Sequence, residues 1–266
     1  SLILISYFNT TEMLKNNFIE NNYSILKLVN QNFQNYIGQI DELSISLRKD
    51  AHFMKILTTM EDDFESEMYI QNQIKNMFYS RDDIEELKFY LPSSGKYFVI
   101  SRSNANLKVL GSENIIDHKW FKKASKDNYF RYIESPLKSG GEVYNAGQDK
   151  IFFNFYRTYV SIPGLKPLGI ISISFNKSLM DRLFKDEYIQ DGEALCLFDA
   201  DNEVFYASNP LLAERATIHS ILNGISREAS SGNFSVMINK KDYLVVYNVS
   251  ENKEWKMAKL IPVEII

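Results

Sequence analysis

EALCLFDADNEVFYA, residues 193–207, is the stretch on which the fold turns. Glu193 to Phe198 is a short, mostly apolar run with the length of a buried strand. Asp199-Ala200-Asp201-Asn202 is a cluster of turn formers, and Glu203 to Ala207 returns as a second run. Downstream, Pro210 to Ile225 reads as helical. Three further runs follow, Asn233 to Ile238, Asp242 to Val249 and Trp255 to Leu260, joined by short polar connections of the antiparallel kind. The order is hairpin, helical crossing, three-strand meander.

The same order occurs upstream with longer insertions. Ile84 to Leu91 is a strand that ends at the turn Pro92-Ser93-Ser94-Gly95, and Tyr97 to Ile100 is its hairpin partner. A polar stretch leads to a short helix, Asp117 to Ser125, with Asp117 as N-cap. Strands are expected at Tyr129 to Glu134, Ile151 to Val160 and Leu168 to Phe175, then a short helix from Lys177 to Phe184. Ahead of all this, Glu65 to Phe78 is helical. Phe18, Ile25, Val29, Phe33, Tyr36, Ile40, Leu43 and Leu47 recur at the spacing of an amphipathic helix about 45 Å long. The fold class is therefore α+β: a long N-terminal helix followed by two antiparallel sheets with flanking helices. The expected boundaries are 1–50, 51–185 and 186–266.

Composition excludes several functions. With 45% apolar and 24% charged residues the chain is an ordinary globular one. A net charge of -4 with mixed signs gives no basic stripe for nucleic acid. The single cysteine, Cys196, allows no disulfide framework and no CxxC motif, and its apolar neighbours make it a core residue. His52, His118 and His219 lack metal-binding spacing, and GxSxG, P-loop and GxGxxG motifs are absent. The chain is not expected to be an enzyme or to carry a cofactor or metal. The turn at Asp199–Asn202 has a calcium-like look but lacks the Gly and distal Glu of an EF-hand loop, so a hairpin turn is expected.

A binding site is better supported. On the strand Ile151–Val160, Phe153, Phe155, Arg157 and Tyr159 share one face by alternation. An arginine among aromatics suits a carboxylate, phosphate or sugar hydroxyl, because its planar fork donates several hydrogen bonds. The alternative is a plain core face with Arg157 paired to a carboxylate such as Glu134.

Trp120-Phe121 followed by Ala124, the run Leu168-Gly169-Ile170-Ile171-Ser172-Ile173 and the ending Trp255 to Pro262 stand out in this order. Together they resemble the double Cache (PAS-like) sensor domains of bacterial membrane receptors. Asp41 to Ser44 and Leu47 to Asp50 also resemble low-GC Gram-positive sensor histidine kinases and membrane-bound AraC-type regulators. The resemblance implies an extracellular part of a membrane-anchored receptor. Residues 51–185 would bind a small ligand and 186–266 would pass the change to a second membrane helix. Leu2 to Ile5 would be the stub of a first membrane helix and Val263 to Ile266 the start of the second. A histidine kinase output is expected, with a chemotaxis receptor or AraC-type regulator as the alternative, and a homodimer through the N-terminal helix is a further expectation.

Amino-acid-binding relatives carry an Arg two residues before the Trp, a Tyr-x-Asp and a late Asp. His118, Tyr132-Ile133-Glu134 and Ser174 stand at those positions here. A sugar-like ligand is therefore expected. Trp120, Phe121, Tyr132 and Phe155 would wall it, Arg157 would anchor it, and His118 and Glu134 would assist. Tyr144, on the Ser139–Asp149 loop, would act as a lid. A secreted carbohydrate-active enzyme and an intracellular haem or flavin PAS sensor are competing readings.

Overall fold

The computed structural model describes residues 2–59, 63–111, 122, 131–134, 151–162, 164, 166–176, 183–184, 188–209, 215–226 and 228–265. Helix α1 (Leu2–Lys49) is longer than its apolar stripe. The chain forms two compact units, Tyr36–Arg182 and Ser1–Asn35 with Leu183–Ile266, so α1 contributes to both. Asp50 ends α1 and starts α2 (Ala51–Thr59): its Oδ1 accepts the backbone N–H groups of His52 and Phe53, both at 3.0 Å. Helix α3 (Phe64–Tyr79) is capped by Asp63, which accepts from Ser66 N at 2.8 Å.

The Tyr36–Arg182 unit holds β1 (Ile84–Leu91), β2 (Lys96–Ser101), β3 (Asn104–Gly111), β4 (Arg131–Glu134), β5 (Ile151–Val160) and β6 (Pro167–Asn176). Their order is β3-β2-β1-β6-β5-β4, with antiparallel neighbours. Helix α2 and strand β3 escape the periodicity reading. Asn104–Gly111 is an edge strand with exposed or half-buried side chains throughout, so it carries no apolar alternation. The expected helices Asp117–Ser125 and Lys177–Phe184 lie largely outside the described residues. One sheet face is aromatic core. Phe153 and Phe175 stack at 4.9 Å and both meet Tyr36 of α1 edge-on, while Phe53 of α2 packs on Phe89 and Tyr159. Gly169 lets β6 pass under Phe89, since a Cβ there would lie 2.6 Å from its ring.

The other unit has β7 (Ala194–Asp199), β8 (Val204–Ala207), α4 (Arg215–Gly224), β9 (Ser231–Ile238), β10 (Lys241–Val249) and β11 (Trp255–Pro262), in the order β8-β7-β11-β10-β9. The Asp199–Asn202 segment is a hairpin turn, with Asp199 Oδ1 accepting from the N–H groups of Asp201 and Glu203 at 2.9 Å. Asn239 and Lys240, both at positive φ, make the two-residue β9–β10 loop. Ala194, Cys196, Phe198, Val245, Ala258 and Leu260 form a core with Ile221 and Ile225 at α4. Burial there pushes the Cys196 thiol up to about 12. On the opposite face, Phe33 of α1 meets Trp255 edge-on at 5.0 Å, and Trp255 Nε1 donates to Asn30 Oδ1 at 2.7 Å.

Candidate functional site: the polar face of the larger sheet

Alternation along β5 groups Phe153, Phe155, Arg157 and Tyr159 as expected, but that face is turned toward α1 and α2. Arg157 Nε donates to Ser44 Oγ at 2.6 Å, and its guanidinium pairs with Asp41. Arg131 reaches the same carboxylate at 3.6 Å, and Tyr159 donates to the Ser44 carbonyl at 2.7 Å. Phe155 is fully buried on this face. Phe155 is thus a core residue, and the half-buried Arg157 is paired within the chain on the face turned to α1 and α2. A guanidinium out of water needs an anion, and α1 supplies one from 116 residues away. No local sequence pattern reports a contact of that range.

The opposite face gathers the polar side chains that interrupt apolar strands. Register sets Lys88, Ser172, Tyr156 and Tyr132 in one row across β1, β6, β5 and β4, and Glu86, Ser174 and Asn154 in the next. Tyr90, Ile170 and Thr158 flank them on the other side. Asn154, Thr158, Ser172 and Ser174 are all buried. Ser174 donates to Asn154 Oδ1 at 2.6 Å, and Lys88 pairs with Glu86 at 2.8 Å, each largely out of water. The Ser172 hydroxyl, 4% exposed, has no hydrogen-bond partner among the described residues. Buried hydroxyls are normally satisfied, so this one takes its bond from a ligand, a water or a residue outside the described ones.

Of the expected ligand residues, Tyr132 lies on this face, its ring parallel to Tyr156 at 6.3 Å. Glu134 is opposite Asn154 in the ladder, which fixes its backbone only. His118, Trp120, Phe121 and Tyr144 lie outside the described residues, as does the Ser139–Asp149 loop. Sequence reasoning missed Glu86, Lys88, Asn154, Thr158 and Ser172 as a group. The available signal was polar residues two apart inside apolar strands, as at Ser172 and Ser174.

The smaller unit has a separate open cleft of about 670 Å³ with Asn202, Glu228, Glu251, Lys253 and Lys256 among its lining. Partial burial lowers the Lys256 pKa. Charges of both signs line it, and nothing there selects a ligand. Among the described residues no group of His, Cys, Asp or Glu could hold a metal ion, and no helix is long and apolar enough to cross a membrane.

No family model and no curated protein matches the chain by sequence. Solved structures match its fold. The ligand-binding domain of the Campylobacter jejuni chemoreceptor Tlp3, in complex with L-norvaline, aligns with TM-score 0.67 and 16% identity over 95% of this chain and 94% of that one. The extracellular domain of the putative histidine kinase rpHK1S-Z16 aligns at 0.65 and 10% identity over 96% of each. The ligand-binding domain of Mlp24 with asparagine aligns at 0.62 and 11%, over 94% and 95%. The fold is the double Cache-like one of bacterial sensor domains.

Proposed function

We propose that this chain is the extracellular sensing part of a bacterial membrane signalling receptor, binding a small molecule on the polar face of the larger sheet. The observation that carries the reading is the buried polar row with the Ser172 hydroxyl, unpaired among the described residues, at its centre. Shared fold with chemoreceptor and histidine kinase sensor domains supports a sensor in place of an enzyme. A histidine kinase is the proposed output, and a chemotaxis receptor or AraC-type regulator is the alternative.

The proposed ligand is neutral and hydroxyl-rich, such as a sugar. The two described charges of this face, Glu86 and Lys88, already satisfy each other, leaving hydroxyls, an amide and tyrosine rings to do the recognition. A second reading is an amino acid, favoured by the norvaline and asparagine complexes of the similar domains. It would part Glu86 from Lys88 and take one with its ammonium and the other with its carboxylate.

A thermal-shift screen with sugars, amino acids and organic acids tests both. Binding at a hundredfold excess over Kd stabilises the fold by about 2.7 kcal/mol. A sugar hit that survives Lys88→Met but is lost in Tyr132→Ala supports the first reading. An amino-acid hit lost in Lys88→Met supports the second. Hits indifferent to Tyr132, Lys88 and Ser172 would remove the site from this face.

A further inference from the structure

Among the described residues strand β9 is an open sheet edge of a kind that proteins usually protect. It is eight residues long, Ser-Gly-Asn-Phe-Ser-Val-Met-Ile from Ser231 to Ile238, with no charged residue and no proline. Its register with β10 runs unbroken from Ile238↔Lys241 to Ser231↔Asn248, with no bulge. Among the described residues no strand pairs with its outer side. Strands β4 and β8 are four residues each, and β3 carries Lys108. Short length, charge, proline and bulges are the devices that stop edges from pairing, and β9 has none of them.

The ladder fixes which groups face outward. Val249 N–H donates to the Ser230 carbonyl at 2.7 Å, so position 230 is hydrogen-bonded to β10. Antiparallel pairs alternate, which leaves the N–H and C=O groups of Ser231, Asn233, Ser235 and Met237 pointing away from β10. Their side chains are exposed as well, Met237 at 68%.

We propose that β9 pairs antiparallel with β9 of a second copy, joining two five-stranded sheets into one about a two-fold axis. Self-pairing suits this strand because a two-fold sets like residues near like, and an uncharged strand meets no repulsion. In the register of fullest overlap, Asn233 lies opposite Ser235 of the second copy and Ser231 opposite Met237. The backbone bonds of this ladder hold the two copies together.

Light scattering after gel filtration, over a concentration series of the chain, tests this. The expected mass rises from 30.9 kDa toward twice that value. Ser235→Pro removes an outward N–H without touching a bond to β10 and is expected to give monomer at every concentration with unchanged melting. Ser235→Lys sets like charges at the axis, keeps every intrachain bond, and is expected to do the same. A wild-type chain that stays monomeric throughout, or a dimer that persists in both Ser235 variants, overturns the proposal. The latter result would assign the contact to α1.

Discussion

Lys259 Nζ lies 2.8 Å from Glu193 Oε2 with both side chains almost wholly withdrawn from water, and it donates a second bond of 2.8 Å to Asn22 Oδ1 of α1. The pair joins β11 to the residue preceding β7, and the asparagine ties α1 to both. This explains a polar residue on the helix stripe that a purely apolar seam would not contain.

Removing one partner leaves the other charged and buried. Lys259→Met is expected to destabilise the chain by roughly 3–5 kcal/mol, and the double variant Lys259→Met, Glu193→Leu to recover most of that loss. Urea unfolding of both variants measures it. A single variant as stable as wild type would mean that water already reaches the pair.

Arg157→Ala is expected to cost roughly 2–3 kcal/mol, because among the described residues Asp41 keeps only the more distant Arg131 and Ser44 loses a donor. The thermal shift caused by a ligand of the polar face is expected to persist. Loss of that shift with stability intact would return Arg157 to the ligand side.

The larger unit should weaken in acid. Burial alone would raise the Asp83 carboxyl, but the Arg81 hydrogen bonds at 2.6 and 2.9 Å, its charge and the Tyr36 hydroxyl at 2.9 Å hold it below the usual carboxylate value. A depressed pKa means that its stabilisation is fully present above the ordinary value of about 4 and is lost as pH falls through the folded-state value. Chemical unfolding of the wild type and Asp83→Asn between neutral pH and pH 3 is expected to show curves that converge in acid. Parallel curves would show that Asp83 contributes nothing to the pH dependence.

Gly169→Ala places a methyl group against the Phe89 ring, which is fully buried and held by Phe53 and Tyr159. The expected loss is about 1–3 kcal/mol, measured as a lower melting temperature. An unchanged temperature would show that the ring can turn aside.

Much of the architecture was legible in order and spacing. Ile84–Leu91 and Ile151–Val160 were read to the residue, because long apolar runs bounded by turn formers leave little choice. Strand β3 was not legible, since an exposed edge owes its conformation to one neighbouring strand. The site was legible only by halves. Alternation correctly grouped Phe155 with Arg157 on one face of β5. It says which residues share a face and is silent on what that face meets.

The sequence by itself determined the α+β class, the long leading helix, the strand order of the smaller unit and the residues that share a face of β5. Those features follow from local periodicity and turn chemistry, which act over a few residues. Only the tertiary structure decided that the arginine face is core and the serine face is the candidate site. That choice depends on where α1 lays Asp41 and Ser44, a contact across more than a hundred residues that arises from burying one charge against another.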